Sequence, residues 1–536
     1  MHIRKELSEY ASLRGTTGPY ADNLSVDVVI VGAGFGGIYC LYEMRKLGLK
    51  AVIYEAGDDV GGTWRWNCYP GAAVDSEIPE YRYSIPETWK DWTWSTNYPN
   101  YEELRRYFDH VDQVLQAAGR SKRPMGERRR PSTSLSPPGS LQSGTSPSGR
   151  EWIHSRALST TPPFGRASTP SMSEESAARL SALARQGCKS RRPGVQRRAR
   201  SRCSSGLPTW PFPMRKRALS AEAQQEAKAL YPELFSFREK AFAAFLYTFS
   251  EKSLWEDNEE EREAFLEKLW AEGGFRFWVA NYRDYLFDAE ANRIVYDFWC
   301  RKVRQRIGDP KARELLAPRE PPHYFGVKRP CLEETYFEQF NRKNVEVVDI
   351  KNNPVVAFTE TGIQLEDGTV HEVDVVCVAT GLDITTGGMT NMGLTSIHGT
   401  TLKDEWKDGA YTYLGLTVSG YLNMFHLYGP QGPTLLSNGP TTVEVQGRWI
   451  ADAIKQIERQ GIKYIDPLPE SARAWKKRIN ELSDLTLFPT TKSTYMGGTI
   501  PGKVFEQGNY TGGIPQYLAE IRAALPKFDG FTTVKY

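Results

Sequence analysis

The sequence contains no C-x-x-C pair. Its seven cysteines (Cys40, Cys68, Cys188, Cys203, Cys300, Cys331 and Cys377) are odd in number and scattered, which excludes a disulfide scaffold or a zinc ribbon and makes a reducing compartment, the cytoplasm, the expected location. No apolar run reaches 18 residues, and the opening MHIRKELSEYASLRG lacks the apolar core of a signal peptide, so neither a membrane span nor a secretory leader is expected. Net charge is almost absent as well: 68 Lys+Arg against 65 Asp+Glu gives +3, and bulk charge selects no nucleic acid or other partner. Internal repeats are missing. What remains is an ordinary globular composition, 40% hydrophobic and 25% charged, on a chain of 536 residues, long enough for two to four domains of about 150 residues. A single small binding module is therefore excluded. The 14 Trp and 27 Tyr suit large cores and aromatic-walled pockets.

A second set of absences is local. Residues 121–210 contain no Tyr, Asp or Asn and only 13 Val, Ile, Leu, Phe, Trp and Met, while 15 Arg and 2 Lys stand against 4 Glu. That stretch carries +13, so the rest of the chain is net acidic at −10. Its 37 Ser, Pro and Gly leave too little apolar surface for it to fold by itself. The missing residue types share codons with a central A and a terminal pyrimidine, which points to a shifted reading frame or misjudged exon across much of the segment. A real basic insert is the alternative. Without interleaved aromatics or a recognisable module, nucleic-acid binding by the segment is not expected.

Elsewhere the patterning is regular. DVVIV at 27–31 is a β-branched run entering GAGFGG at 32–37, followed by Ile38, Leu41, Met44 and Leu47 at helical spacing and by AVIYE at 51–55, a second strand. In this βαβ unit Gly32, Gly34 and Gly37 permit a tight turn, a close approach to a pyrophosphate and close helix–strand packing. Glu55 falls where an acid accepts a hydrogen bond from a ribose hydroxyl. GGTWRWNCYPGAAVDSEIPEYRYS at 61–84 packs aromatics among glycines around Asp75. Read alone it is a loop covering the core; after a dinucleotide βαβ unit it can wall off an isoalloxazine ring and hold a carboxylate beside it. Further on, a helix is expected at 101–118 and a helical insertion from 220 to about 307, with Ile294, Val295, Phe298, Trp299 and Val303 on one face. Strands and hairpins are expected at 344–350, 354–362, around Asp367-Gly368 and at 373–381, and helices at about 442–459 and 471–482. YFGVKRPC at 324–331 sets Lys328 beside Arg329 before the helix-like LEETYFEQF. These two are either a solvated basic pair at a helix start or a fixed cation that stabilises an anion formed during catalysis.

GAGFGG, GTWRWNCYPGAAVDSE with Tyr81, GVKRP, CVATGLD at 377–383, GPQGPTLLSNGPT at 429–441 and GGTIPGK at 497–503 together resemble the Baeyer–Villiger monooxygenases, class B flavoprotein monooxygenases that use FAD and NADPH. The match covers about 20–118 and 210–510, in the right order, and is similar in style to fungal secondary-metabolism members. It implies an α/β fold of two Rossmann-like dinucleotide-binding domains, for FAD and for NADPH, with a helical insertion. By this resemblance the FAD domain comprises 1–120 and 380–536, the helical domain 213–320, and the second part of the NADPH domain 321–379. The anomalous 121–212 stands in place of that domain's first half, which is expected to be disrupted at 121–210. The implied chemistry is insertion of one oxygen atom from O2 next to a ketone carbonyl through a C4a-peroxyflavin, giving an ester or lactone.

Carried over by motif, Arg329 would stabilise the anion, with Asp75 beside it and the flavin. Lys328 would contact NADPH, and Thr63, Trp64, Arg65, Trp66, Asp75, Ser76 and Tyr81 would line FAD, with Ala73 and Val74 reaching with Asp75 toward the nicotinamide. No metal is expected, and the ketone and oligomeric state are left open. Alternatives are an N- or S-hydroxylating flavin monooxygenase, which has less need of Arg329, and a flavin-binding protein inactive for want of its second nucleotide site. The last arises because the family's second GxGxxG and its F-x-G-x-x-x-H-x-x-x-W fingerprint are not intact here. Around His154, Ser148, Arg150 and Leu158 stand in place of Phe, Gly and Trp, and Arg192-Pro193 precedes GVQ at 194–196. Thr494 stands where many members have Trp.

Overall fold

β1 (Val28–Val31) and β2 (Ala51–Tyr54) lie parallel, Val28 opposite Ala51 and Val31 opposite Tyr54, with α1 (Phe35–Lys46) as their crossover. The β-branched residues of β1 favour extended backbone, and α1 buries Ile38, Leu41 and Met44, the stripe its periodicity marks out. A helix more than 400 residues later in the chain, Gly439–Gln460, covers α1 so closely that a Cβ on its Gly447 would stand 2.6 Å from the Tyr39 ring. The two ends of the chain thus share one core, which also takes Leu104, Tyr107, Phe108 and Val111 from the helix Tyr101–Ala117. The computed structural model describes residues 25–117, 210–378, 383, 385–498 and 502–536, with the backbone of two strands at 180–183 and 201–205.

Helices Ala221–Ala227, Tyr231–Arg238, Glu259–Glu272, Ala289–Arg304 and Pro310–Leu316 form the expected insertion. Asn258, Asp288 and Asp309 each cap the helix that follows through the side chain. Val295, Phe298, Trp299 and Val303 point into an aromatic core with Trp210, Phe212, Trp278 and Phe325, and Ile294 packs at its margin.

A second parallel sheet runs in the order Val375–Val378, Leu180–Leu183, Ser201–Ser205, Val345–Asp349. Two of its four strands come from the segment that lacks the apolar content to fold alone. Their sequences, LSAL and SRCSS, carry no β-branched or aromatic residue, yet they are taken into a ladder whose outer strands supply the buried Val347 and Val376, so backbone pairing with strong neighbours overrides weak local propensity. Outside the described residues lie the remainder of 121–209, with His154 and GVQ, and also Gly381 and part of the GGTIPGK stretch. Beside this sheet, Val355–Phe358, Gly362–Leu365 and Val370–Glu372 form an antiparallel meander turned at Gly368. The C-terminal region closes with Ile462–Pro467 antiparallel to Phe531–Lys535, packed on Trp449, Trp475 and Tyr517. Among the described residues no helix is long and apolar enough to cross a membrane, and no cluster of three or more His, Cys, Asp or Glu could hold a metal.

Candidate active site and cofactor cradle

The chain turns from β1 into α1 through Gly32, at φ +94. A Cβ on Gly37 would lie 1.8 Å from the Gly32 carbonyl oxygen, and a Cβ on Gly62 only 2.8 Å from Gly34 Cα. The first turn of α1 has no side-chain cap and no acidic residue. Its N–H groups and the positive end of the helix dipole therefore suit an anionic ligand such as a pyrophosphate. Glu55, just past β2, accepts the Ala33 N–H at 2.6 Å on one oxygen and the Gly57 N–H at 2.7 Å on the other. Both bonds fix the carboxylate beside the glycine turn, and each oxygen keeps a further lone pair for a ribose hydroxyl.

The GTWRW segment forms the short helix Thr63–Trp66 directly against this turn. Trp64 is buried, and its indole N–H donates to the Tyr81 hydroxyl at 3.0 Å. Trp66 packs over Gly57, Thr63 is exposed, and the Arg65 guanidinium engages Asp58, with Nε 2.6 Å from Oδ1. Val74 and Ser76 are buried, while Ala73 and Asp75 are half-buried; Ala73 bridges to Asn100, which starts the strap into the helix at 101.

Arg329 comes to Asp75 from the far side of the helical insertion. Its Nε and Nη2 reach the two Asp75 oxygens at 3.3 and 3.1 Å, and Nη1 donates to the Leu435 carbonyl. Three of its five N–H groups are thereby used. The side chain is 27% exposed, and the guanidinium lies over the Phe275 and Trp278 rings, 4.9 and 5.9 Å from their centroids. Burial works against its charge, but the Asp75 carboxylate, together with the Tyr495 and Tyr428 hydroxyls, outweighs it and holds Arg329 above the ordinary arginine value. Around it, burial pushes the phenols of Tyr81, Tyr428 and Tyr495 up, with the guanidinium pulling the other way, so all three stay protonated. The site is a fixed cation that also hydrogen-bonds the Tyr495 hydroxyl, walled by aromatics and beside a carboxylate, an arrangement suited to an anion that forms and decays.

Lys328 is 5% exposed, so the basic pair is not solvated. Nor does it start a helix: Leu332–Glu333 is a two-residue strand paired with Phe212–Pro213, followed by the 3-10 turn Phe337–Asn341. The difference lies in Phe337 and Phe340, whose rings are drawn into the aromatic core, where an amphipathic helix would have used the same spacing. The sequence reading missed Leu435, Tyr428 and Tyr495, which surround Arg329, and the Phe275 and Trp278 rings beneath it. The quoted GPQGPTLLSNGPT contains Leu435 and begins one residue after Tyr428, but no periodicity singles either out.

The family model for an NAD(P)-binding Rossmann-like domain matches residues 30–111. Over 560 aligned residues, covering 99% of this chain and 93% of the other, the sequence is 50% identical to the FAD-binding monooxygenase acrE of Aspergillus aculeatus. It is 37% identical to cyclopentanone 1,2-monooxygenase of a Comamonas species, covering 95% and 96% of the two chains. Among solved structures, OTEMO in complex with FAD and NADP superposes with a TM-score of 0.83 at 25% identity, covering 95% of this chain and 99% of that one.

Proposed function

The chain belongs to the FAD-binding Baeyer–Villiger monooxygenase family, and from that premise we propose that it uses FAD and NADPH to insert one oxygen atom of O2 next to a ketone carbonyl, giving an ester or lactone. The observation that carries this reading is Arg329, a permanently charged guanidinium clamped by Asp75 and the Leu435 carbonyl among aromatic rings. The glycine cradle, the uncapped start of α1 and Glu55 fit the diphosphate and ribose of FAD. Bound there and reduced by NADPH, FAD would supply the activation of oxygen.

The protein's own part is positional and electrostatic. Asp75 keeps Arg329 oriented, and Arg329 steadies negative charge as it develops on the oxygen donor and then on the attacked carbonyl. The Trp64–Tyr81 bond closes one wall against water, and buried Lys328, next to the clamp, supports the NADPH side together with the second parallel sheet. N- or S-hydroxylation is a weaker reading, because it has less need of a cation at this place.

The test is anaerobic. The purified chain is examined for flavin absorbance and then mixed with NADPH. Bleaching, followed in air by conversion of a cyclic ketone to a lactone, is the expected result. Flavin that dithionite bleaches and NADPH does not would show a flavoprotein without a working nucleotide site and would overturn the proposal.

A further inference from the structure

The third bond to Arg329 comes from a residue in a costly conformation. Leu435 has φ +61, in the left-handed region that a branched side chain rarely enters. Its side chain packs at the edge of the aromatic core while its carbonyl accepts from Arg329 Nη1. Two phenols hold this turn. The Tyr428 hydroxyl accepts the Leu435 N–H at 3.2 Å and donates to the Ser437 carbonyl at 3.3 Å, stitching the turn on both sides of Leu436. The Tyr495 hydroxyl donates to the Leu435 carbonyl at 3.4 Å, the same oxygen that Arg329 uses. Each phenol is anchored elsewhere: Tyr428 by its own N–H to Gln446 Oε1 at 2.8 Å, and Tyr495 by the Gly508 N–H to its carbonyl at 2.6 Å and by its ring against Phe488.

We propose that Tyr428, assisted by Tyr495, is a positioning residue that locks Leu435 in its left-handed turn and thereby fixes the orientation of the Arg329 guanidinium. The inference rests on the proposed role of Arg329 and adds residues to it. With the phenol gone, Leu435 relaxes to negative φ, its carbonyl swings off Nη1, and Arg329 is left to Asp75 and the Tyr495 hydroxyl. Its remaining N–H groups then no longer point where the clamp holds them. Tyr428 matters more to the turn than Tyr495, since it makes two bonds to the turn's backbone and Tyr495 makes one, to an oxygen already engaged by Arg329.

The first readout needs no turnover. Crystal structures of the FAD-loaded wild type and Tyr428→Phe are expected to show Leu435 at φ near +61 with the Arg329 bond in the former, and both lost in the latter. A Tyr428→Phe protein that retains the turn and the bond overturns the proposal, even if the chain proves inactive. In turnover, Tyr428→Phe should lower kcat about tenfold with KM within about twofold, Tyr495→Phe should lower it about threefold, and both should release more peroxide per NADPH. Glycine occupies positive φ without strain, so adding Leu435→Gly to Tyr428→Phe should recover part of the lost kcat. Absence of that rescue, with normal melting temperatures, also overturns the latch. Arg329→Ala separates the two ideas: if it leaves kcat and coupling unchanged, the reading of Arg329 itself fails, whereas loss in Arg329→Ala without loss in Tyr428→Phe sinks only the positioning role.

Discussion

Two adjacent glycines should respond in opposite ways to the same methyl group. At Gly37 a Cβ would sit 1.8 Å from the Gly32 carbonyl oxygen and 3.0 Å from its carbon, both backbone atoms of the turn that begins α1. Carbon and oxygen in contact need about 3 Å or more, so the turn must open by roughly 1 Å. Overpacking of this kind costs about 1–3 kcal/mol. Because the displaced atoms are those that would meet the FAD diphosphate, that energy should fall on cofactor binding, as roughly a tenfold to hundredfold weaker Kd. At Gly36 the nearest atom to a new Cβ is Leu427 Cδ1 at 3.3 Å, the end of a flexible side chain, and alanine is up to about 1 kcal/mol better than glycine in a helix. Gly36→Ala should therefore keep FAD and melt at the wild-type temperature or slightly above it. The assay is FAD retained per chain after desalting, a fluorescence titration of the apoprotein, and thermal melts of both variants. A Gly37→Ala protein that binds FAD within threefold of wild type would refute the reasoning, and so would a Gly36→Ala protein that loses it.

Arg329→Lys keeps the charge but not the fork that grips Asp75 and Leu435 together, so product formed per NADPH consumed should fall with kcat, by about a hundredfold or more; unchanged coupling would show that charge alone suffices. Two buried groups should tilt stability at opposite ends of the pH range. Burial pushes the Glu80 carboxyl up to about 8, so the folded state keeps a proton the unfolded chain has lost, and stability should fall as pH rises from about 4.5 through 8. Glu80→Gln should remove that slope in denaturant melts, gaining on wild type at pH 8.5 by a few kcal/mol. Burial lowers His426 to about 4, and both its ring nitrogens lack a hydrogen-bond partner. The unfolded chain then takes up a proton first, stability should fall as pH drops from about 6.5 toward 4, and His426→Leu should flatten that acid limb; an unchanged acid limb would show that other groups control it.

What could be read from the sequence was whatever a short stretch of chain decides by itself. GAGFGG between a β-branched run and an amphipathic stripe has few ways to fold, and the helix at 101, the hairpin at Gly368 and the aromatic face at 295–303 follow from equally local patterns. Leu180–Leu183 and Ser201–Ser205 carry no such pattern, because their strand character comes from the ladder on either side. The Arg329 clamp lies beyond local reasoning for a different cause. Its partners stand 254 and 106 residues away in the chain, and the decisive backbone feature is a positive φ at a leucine, a conformation that residue type argues against.

The same holds where the chain's two ends meet the insertion. Arg238, fully buried, donates to the Glu80 carbonyl at 2.6 Å and faces Glu444 at 3.6 Å, while Asn438 grips the same Glu80 carbonyl from the start of the long C-terminal helix. Glu444 in turn accepts the Ser84 N–H at 2.6 Å. Each of these groups, read in sequence, is an ordinary polar residue on a helix or loop. Brought together, they fix residues 80–84, immediately after the segment that carries Asp75 and Ser76 and around Tyr81. A buried charge pair of this kind adds little net stability, because desolvation consumes most of its attraction, but removing one partner is expensive, which makes it a strong constraint on geometry. Long-range polar contacts therefore set where the local motifs point, and placing Asp75 against Arg329 depends on Arg238 and Glu444, outside every motif, as much as on Glu80, Ser84 and Asn438 within them.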